Sequence, residues 1–156
     1  MVYILITLSI IFIDQATKHL ASEKIILGQR KNFLNNKLFI TNTRNRGAAY
    51  GFLKDRPKLL TCFTTLSSLH ICKVFIELIT TEKNNKIFKL AFAFLLGGAI
   101  GNIYDRIKNK YVVDFICIKF SKNAPIFNVA DFFIVIGVVI TMFKITFNLI
   151  IRFIKN

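Results

Sequence analysis

Four long apolar runs dominate this 156-residue chain and limit what it can fold into. They span roughly Val2 to Ala21, Leu59 to Thr80, Ile87 to Tyr104 and Val129 to Ile151. A helix that crosses a bilayer needs about 20 predominantly apolar residues, so each run is close to the required length. The composition agrees, because 54% of the residues are hydrophobic and 17 are Phe, which is too apolar for a soluble domain of this size. The sequence predicts a single membrane α-helical domain over residues 1–156 with four transmembrane helices.

The first run could also be a secretory signal peptide, since its apolar stretch extends from Val2 to Ile13. Such a peptide has a basic segment before the apolar stretch and a small-residue cleavage site after it. The first run has no basic segment and no clear A-x-A site. We therefore expect it to be retained as the first helix.

The links between the runs differ in length. The first, Ser22 to Lys58, contains the segment KLFITNTRNRGAAYGFL, which opens with β-prone residues and continues with a Gly-punctuated stretch. We expect this link to form a small β-rich cap between helices 1 and 2, lying on the membrane face. The second link, Glu82 to Lys86, is short and polar, and the third, Arg106 to Asn128, contains the strand-like alternation VVDFICI.

The formal net charge of +14 calls for an anionic partner or surroundings. Lys and Arg are spread through the links rather than gathered in blocks with interleaved aromatic residues, so membrane lipids with anionic headgroups are expected and nucleic acid is not. The three cysteines lack the spacing of a metal site or a disulfide framework, and His19 and His70 are isolated from other ligand types. We expect no metal and no other cofactor.

Two carboxylates, Asp114 and Asp131, lie in the strongly apolar neighbourhoods YVVDFICI and FNVADFFIVIGVV, in a chain with only eight acidic residues. An ionisable group beside a membrane-grade apolar run is costly, and by default it indicates a functional site. Two such groups suggest a pair that shares chemistry.

Other unusual polar residues fall on the same side of the predicted membrane domain. Because the four crossings alternate in direction, the ends of helices 1 and 3 and the starts of helices 2 and 4 share one face. The residues on or next to that face are Asp14, Asn45, Asn102, Asp105, Arg106, Asp114 and Asp131. We therefore expect a site at a membrane surface rather than at the midplane.

Some of these residues also have a purely structural interpretation. Asn128 and Asp131 are three residues apart at a helix start, as in a helix N-cap followed by an acid in the first turn. Asp14 and Lys18 are four residues apart and can form an interfacial ion pair.

The third helix offers two further structural pairs. Asp105 and Arg106 are adjacent and can compensate each other's charge. Gly97 and Gly101 form a small-x-x-x-small pair, which lets a helix approach its neighbour closely. None of these interpretations explains why the polar residues gather on one face.

Five motifs carry a family resemblance. They are DQATK at Asp14 to Lys18, NRGAAYG at Asn45 to Gly51, GGAIGNIYDR at Gly97 to Arg106, VVDF at Val112 to Phe115 and FNVAD at Phe127 to Asp131. In this order and spacing they resemble lipoprotein signal peptidase, the type II signal peptidase family of bacteria, over essentially the whole chain. The last three motifs together are highly specific, and Tyr50 stands where the family often has Phe, a change that conserves the ring.

The resemblance implies an aspartic endopeptidase of the bacterial inner membrane. It would remove signal peptides from prolipoproteins by cutting before the diacylglyceryl-modified cysteine. The catalytic pair would be Asp114 and Asp131. The residues lining the site and binding substrate would be Asp14, Asn45, Asn102, Arg106 and Asn128. Structural support is expected from Lys18, Gly97, Gly101 and Asp105.

The resemblance also implies a topology that the charges oppose. It places the links at about 22–58 and 106–128 outside the cytoplasm and both termini inside. These links carry nine and five Lys or Arg residues, against five on the other side. The positive-inside rule taken literally would put the site in the cytoplasm. We follow the family here, since charges in a folded link can weigh less than charges in short loops, and we expect a monomer.

Two other kinds of protein remain as alternatives. A small transporter or proton-coupled carrier also contains intramembrane Asp, Asn and Arg, but it would carry them through the bilayer depth or at the midplane. A noncatalytic assembly factor would use the Gly97–Gly101 seam to dock a partner helix and would tolerate loss of either aspartate.

Overall fold

The computed structural model describes residues 1–34, 37–48, 51–81, 85–118 and 125–155. The elements in chain order are α1 (Val2–Lys24), β1 (Arg30–Leu34), β2 (Leu38–Asn45), α2 (Pro57–Thr80), α3 (Lys86–Asn109), β3 (Val112–Ile118), β4 (Ile126–Phe127) and α4 (Val129–Lys155). Tyr50 and most of the predicted Glu82 to Lys86 link lie outside the described residues.

Within the described part of the chain, four helices are long and apolar enough to cross a membrane, which confirms the predicted architecture. Three of them extend past the predicted ends of their apolar runs, α3 by five residues to Asn109 and α4 by four to Lys155. Basic residues occupy the last turns of both helices, where their positive charge interacts favourably with the negative end of the helix dipole. Pro57 at the first turn of α2 needs no amide hydrogen there, which suits a helix start.

The bundle is built around α3, which packs against α1, α2 and α4. Small residues on α3 make this possible. A Cβ added at Gly97 would lie 2.9 Å from the Cβ of Ile10 on α1, and one at Gly101 would lie 2.5 Å from Oδ2 of Asp14. The Gly97–Gly101 pair therefore lies in the α1–α3 contact, as a seam for close helix approach requires.

Large apolar side chains cover the outside of the bundle. On α4, Phe143 is 72% exposed and Met142 is 60% exposed, and the last turn exposes Phe153. Side chains of this type are unfavourable in water and favourable against lipid tails, so the outer surface suits a bilayer.

An antiparallel sheet in the order β1-β2-β3-β4 lies beside one end of the bundle. The predicted cap between helices 1 and 2 is confirmed in β1 and β2. The sheet is larger than expected, because β3 and β4 come from the link between α3 and α4 and complete it. The sheet thus joins the two links on which the polar residues were expected.

The register between β2 and β3 determines which side chains meet. Thr43 pairs with Asp114 and Asn45 pairs with Val112, beyond an irregularity between Ile40 and Thr43. Side chains two residues apart on a strand share a face. Asn45 and Asp114 therefore lie diagonally on the same face of the sheet.

Candidate active site

A cleft of about 1300 Å³ lies between the sheet and the ends of the helices. The polar residues that line it include Asn45, Asn102, Arg106, Asp114 and Asp131. Apolar side chains from three helices continue the wall toward the middle of the bundle, among them Phe63, Ile71, Leu95 and Ile134. The cleft thus combines a polar end at the sheet with an apolar wall inside the bundle.

Asp114 reaches this cleft from β3 and is 3% exposed. The side-chain amide of Asn45 donates to its Oδ2 over 2.9 Å, and the side-chain amide of Asn128 donates to its Oδ1 over 2.7 Å. Each carboxylate oxygen of Asp114 thus has a fixed amide donor.

Asp131 lies in the first turn of α4, and helix capping fixes its side chain. The backbone N–H of Asp131 donates to Oδ1 of Asn128 over 2.9 Å, and the backbone N–H of Asn128 donates to Oδ2 of Asp131 over 3.3 Å. This reciprocal pattern is a capping box, with Asn128 at the N-cap and Asp131 three residues later. Asn102 on α3 donates to the remaining oxygen, Oδ1, over 2.8 Å.

Asn128 joins the two carboxylates. It has no solvent exposure, and it contacts Asp114 through its side-chain amide and Asp131 through its backbone N–H. Asn128 therefore has the geometry predicted for an N-cap, and the same residue also donates hydrogen bonds to both aspartates.

Burial strongly perturbs Asp114. Removal from water, followed by the negative charge of Asp131, raises the pKa of this carboxyl to about 7, against the opposing effect of the hydrogen bonds from Asn45 and Asn128 and of the Lys18 charge. A carboxyl with this pKa holds a proton part of the time at neutral pH. Two carboxyls with such different surroundings can act as acid and base.

A buried ion cluster lies behind the pair. The ammonium of Lys18 on α1 is 2.7 Å from Oδ2 of Asp14 and 3.0 Å from Oδ2 of Asp105, and each of the three side chains is at most 3% exposed. Asp14 also accepts a hydrogen bond from the backbone N–H of Ala130 over 2.9 Å. This cluster ties α1 to α3 and to the start of α4.

Arg106 lines the cleft, and only part of its guanidinium is hydrogen-bonded within the described residues. Its Nη2 donates to the carbonyl oxygen of Gly47 over 3.4 Å. Its Nε is buried and has no hydrogen-bond partner among the residues that the structure describes. The backbone N–H of Gly47 donates in turn to Oδ1 of Asn45 over 2.9 Å, which links Arg106 to the Asn45 side of the site.

The structure brings together all the residues that the sequence singled out, but it separates those that line the cleft from those that lie behind it. Asp14, Lys18, Asp105 and Asn128 are absent from the cleft lining. Asp14 and Asn128 were expected to line the site, and both are fully buried instead. The predicted interfacial Asp14–Lys18 pair is likewise a buried one, because α3 and the start of α4 cover it.

The three asparagines were expected to bind substrate. In the structure, each of them donates a side-chain N–H to one of the two aspartates, with Asn45 and Asn128 on Asp114 and Asn102 on Asp131. Their amides hold the carboxylates in place.

Two contributors were missed at the sequence level. Gln15 donates to Oδ2 of Asp14 over 3.1 Å and to the carbonyl oxygen of Gly101 over 3.2 Å. The carbonyl oxygen of Gly47 orients Arg106. Gln15 lies within the motif DQATK and Gly47 within NRGAAYG. Membership of these motifs is the sequence feature that points to a role for both residues in the site.

Metal-binding geometry is not found in the described ranges, where no three His, Cys, Asp or Glu residues are placed to hold a metal ion. His19 is largely exposed and pairs with Glu23 over 3.1 Å.

Comparison with known proteins assigns the chain to a family. The model of signal peptidase (SPase) II matches residues 6–147, which include all five motifs. The chain belongs to the signal peptidase II family. Members of this family are peptidases that cleave signal peptides from prolipoproteins.

Individual relatives agree along nearly the full length. The lipoprotein signal peptidase of Halalkalibacterium halodurans is 38% identical over 145 residues, covering 92% of this chain and 91% of the relative. That of Caldicellulosiruptor bescii is 37% identical over 145 residues, covering 93% and 91%. These matches do not support the transporter alternative.

Solved structures show the same fold. A bacterial membrane enzyme determined by the in meso method at 2.3 Å resolution superposes with a TM-score of 0.81 at 30% identity, covering 93% of this chain and 87% of that one. A second, at 1.9 Å resolution, gives 0.78 at 30% identity, covering 92% of both chains.

Proposed function

We propose that this signal peptidase is an aspartic endopeptidase that cuts prolipoproteins immediately before the diacylglyceryl-modified cysteine, with Asp114 and Asp131 as its catalytic pair. One observation carries the proposal. The two aspartates line the same cleft and share Asn128 as a hydrogen-bond donor.

The surroundings of the two carboxyls suit them to different tasks. Asp114 is almost fully buried and its pKa is raised to about 7, so it holds the proton, while Asp131 is partly exposed to the cleft and serves as the ionised partner. Asp131 takes a proton from a water molecule, whose oxygen bonds to the scissile carbonyl carbon. Asp114 gives its proton to the carbonyl oxygen. When the C–N bond breaks, the proton held by Asp131 passes to the leaving amine, and Asp114 recovers its own proton.

Arg106 supplies a donor to the substrate. Its guanidinium lies in the same cleft as both aspartates, and the Arg106 side chain is only partly buried there. A donor aimed at a position where negative charge develops stabilises the transition state, and it is more effective where water is excluded. Asn45, Asn102 and Asn128 contribute indirectly in this proposal. Their amides hold the two catalytic carboxylates in position.

The apolar wall suits a lipid-tethered substrate. Phe63 and Ile71 on α2 and Ile134 and Val135 on α4 line the cleft toward the middle of the bundle. The apolar segment of a signal peptide can lie along this wall while the acyl chains stay in lipid. The modified cysteine is then held at the depth of the two aspartates.

The site faces the extracytoplasmic side of the bacterial inner membrane in this proposal, with both termini in the cytoplasm. The four candidate spans among the residues that the structure describes support termini on one side, because their number is even. The basic residues that line the cleft rim, Arg30, Arg44, Arg46 and Lys54, would contact anionic lipid headgroups. A reporter fused after Asn156 that proved extracytoplasmic would overturn this topology.

A monomer suffices for this chemistry, because both aspartates and their amide donors come from one chain. The deciding experiment uses purified protein and a diacylated prolipoprotein, with Asp114→Asn and Asp131→Asn compared with wild type at matched protein levels. Both variants are expected to lose at least ~1000-fold in kcat, on the scale seen when a member of a catalytic unit is removed. Near wild-type cleavage by either variant would show that the pair is not catalytic.

A further inference from the structure

Lys18 sits at a branch point of the buried polar network. Its ammonium has three N–H donors, and three oxygens lie within 3.0 Å of it, of which that of Asp105 makes an ion-pair contact without a hydrogen bond. These are Oδ2 of Asp14 at 2.7 Å, Oδ2 of Asp105 at 3.0 Å and Oδ1 of Asn102 at 3.0 Å. The two acids compensate the charge of the ammonium. Its hydrogen bond to the neutral Asn102 amide is not needed for charge compensation.

That contact determines how the Asn102 amide is turned. Its oxygen accepts one hydrogen bond from the Lys18 ammonium over 3.0 Å and another from the Asn128 side-chain N–H over 3.1 Å. Its nitrogen is left to donate to Oδ1 of Asp131 over 2.8 Å. A flipped Asn102 amide would place N–H against two donors and a carbonyl oxygen against a carboxylate, which is unfavourable at every contact.

Asn128 is turned by a different group. Its side-chain oxygen accepts the backbone N–H of Asp131 over 2.9 Å, as part of the helix cap. The orientation of Asn128, and with it the donor to Asp114, is therefore fixed by the backbone of α4. The orientation of Asn102, and with it the donor to Asp131, depends on Lys18 together with the Asn128 amide, since both donate to the Asn102 oxygen.

We propose that Lys18 is a positioning residue for the cleavage reaction: it fixes the orientation of the Asn102 amide and so keeps an N–H donor on the Asp131 carboxylate. This inference rests on the proposed roles of Asp114 and Asp131. A donor to a carboxylate stabilises its ionised form, which is the form that accepts the proton of water. Lys18 thereby helps to hold the Asp131 carboxylate in position to accept that proton.

Other charged groups act on the same carboxylate and enter the design of the test. Those facing this region from the neighbouring elements are Asp14 and Lys18 on α1, Asp105 and Arg106 on α3, and Asp114 on β3. Removing the lysine alone would leave two buried acids with one fewer cation and would destabilise the fold. The test variant therefore has to keep the net charge of the cluster.

The charge-matched variant is Lys18→Met combined with Asp105→Asn. It removes one positive and one negative charge from the cluster. We expect its kcat to fall by about 100-fold, the scale of a misplaced catalytic group, with KM changed less than about 3-fold. Lys73→Met, which removes an exposed lysine on α2, is the control and should behave as wild type.

A double-mutant cycle separates positioning from general support. If Lys18 acts through Asn102, adding Asn102→Ala to the charge-matched variant should cost little more than Asn102→Ala alone. Additive losses, or a wild-type kcat in the charge-matched variant, would overturn the inference. Should that variant not accumulate, Lys18→Arg retains the charge but cannot place one nitrogen among three oxygens, and a wild-type kcat in it would count equally against the inference.

The outcomes are distinguishable from failure of the proposed function. If Asp131→Asn remains active, the catalytic pair itself is wrong, whatever Lys18 does. If Asp114→Asn and Asp131→Asn are inactive but the Lys18 variants match wild type, only the positioning role is wrong.

Discussion

Asn128 donates its side-chain amide to Asp114 over 2.7 Å from a position with no solvent exposure, while it also caps the helix that carries Asp131. The same residue therefore serves folding and the site. Helix α4 begins where it does because Asn128 caps it, and this start places Asp131 in the cleft beside Asp114.

Replacing Asn128 should separate these two contributions. In Asn128→Asp the cap oxygen remains, but a third carboxyl replaces the donor to Asp114. In Asn128→Ala both are lost, which should cost about 1 kcal/mol in helix capping and about 1–3 kcal/mol for leaving buried groups unpaired. We expect both variants to lose at least ~100-fold in kcat, and Asn128→Ala to show a lower unfolding temperature in detergent. A variant with full activity would mean that the shared donor is not needed.

Loss of Asn45 should change the pH dependence of cleavage. Asp114 acts in its protonated form in our proposal, so activity should fall as pH rises through its pKa of about 7. The hydrogen bond from Asn45 lowers that pKa. Asn45→Ala should therefore raise it and move the alkaline limb of the pH–rate profile to higher pH. An alkaline limb that stays in place or moves to lower pH would contradict the assignment of Asp114 as the acid.

The sequence was sufficient for the helices and for the face on which the site lies. Apolar runs of transmembrane length leave few alternatives, and alternating crossings then bring Asp14, Asn102 and Asp131 to one side. Motif resemblance supplied the candidate pair, and the structure places both members in one cleft.

What the sequence could not provide depends on contacts between distant segments. The pairing of β2 with β3 sets Asn45 diagonally across from Asp114, and nothing local to either strand encodes that register. The burial of Lys18 was likewise unpredictable. Lys18 lies four residues after Asp14, and this spacing alone predicts a surface ion pair. Only the packing of α3 over the pair shows that it is buried.

Ionisation of the buried Asp114 carboxyl should destabilise the folded protein at alkaline pH. Its pKa is about 7 in the folded protein, against 3.8 for the ordinary group, so the folded state binds the proton more tightly than the unfolded state. Folding stability should therefore be highest below about pH 4 as far as this group is concerned, and should fall as pH rises toward 7. Asp114→Asn removes this dependence, so its stability relative to wild type should rise by up to a few kcal/mol between about pH 5 and pH 8. Unfolding temperatures in detergent at about pH 5 and pH 8 test this, and a difference between the Asn variant and wild type that is the same at both pH values would contradict it.

Gly101 should tolerate no side chain. A Cβ there would lie 2.5 Å from Oδ2 of Asp14 and 3.5 Å from the Cβ of Ala130. Gly101→Ala should therefore push α1 from α3 and cost about 1–3 kcal/mol of stability, with a loss of activity because Asp14 holds the start of α4. Ile100→Ala, at a partly exposed neighbour on the same helix, is the control and should change activity little. Equal effects of the two changes would argue against the packing explanation.

Arg106 offers the sharpest test of how the substrate is held. Its Nη2 contacts Gly47 and its Nε is the buried donor without a partner in the described chain, so charge and donor geometry can be separated. Arg106→Lys keeps the positive charge but removes the planar set of donors, whereas Arg106→Gln keeps donors and removes the charge. If the guanidinium donates to the carbonyl oxygen as negative charge develops, both variants should lose about 100-fold or more in kcat with a smaller change in KM. A lysine variant with wild-type kcat would mean that only the charge matters, and a rise in KM alone in both variants would make Arg106 a binding residue with no part in the transition state.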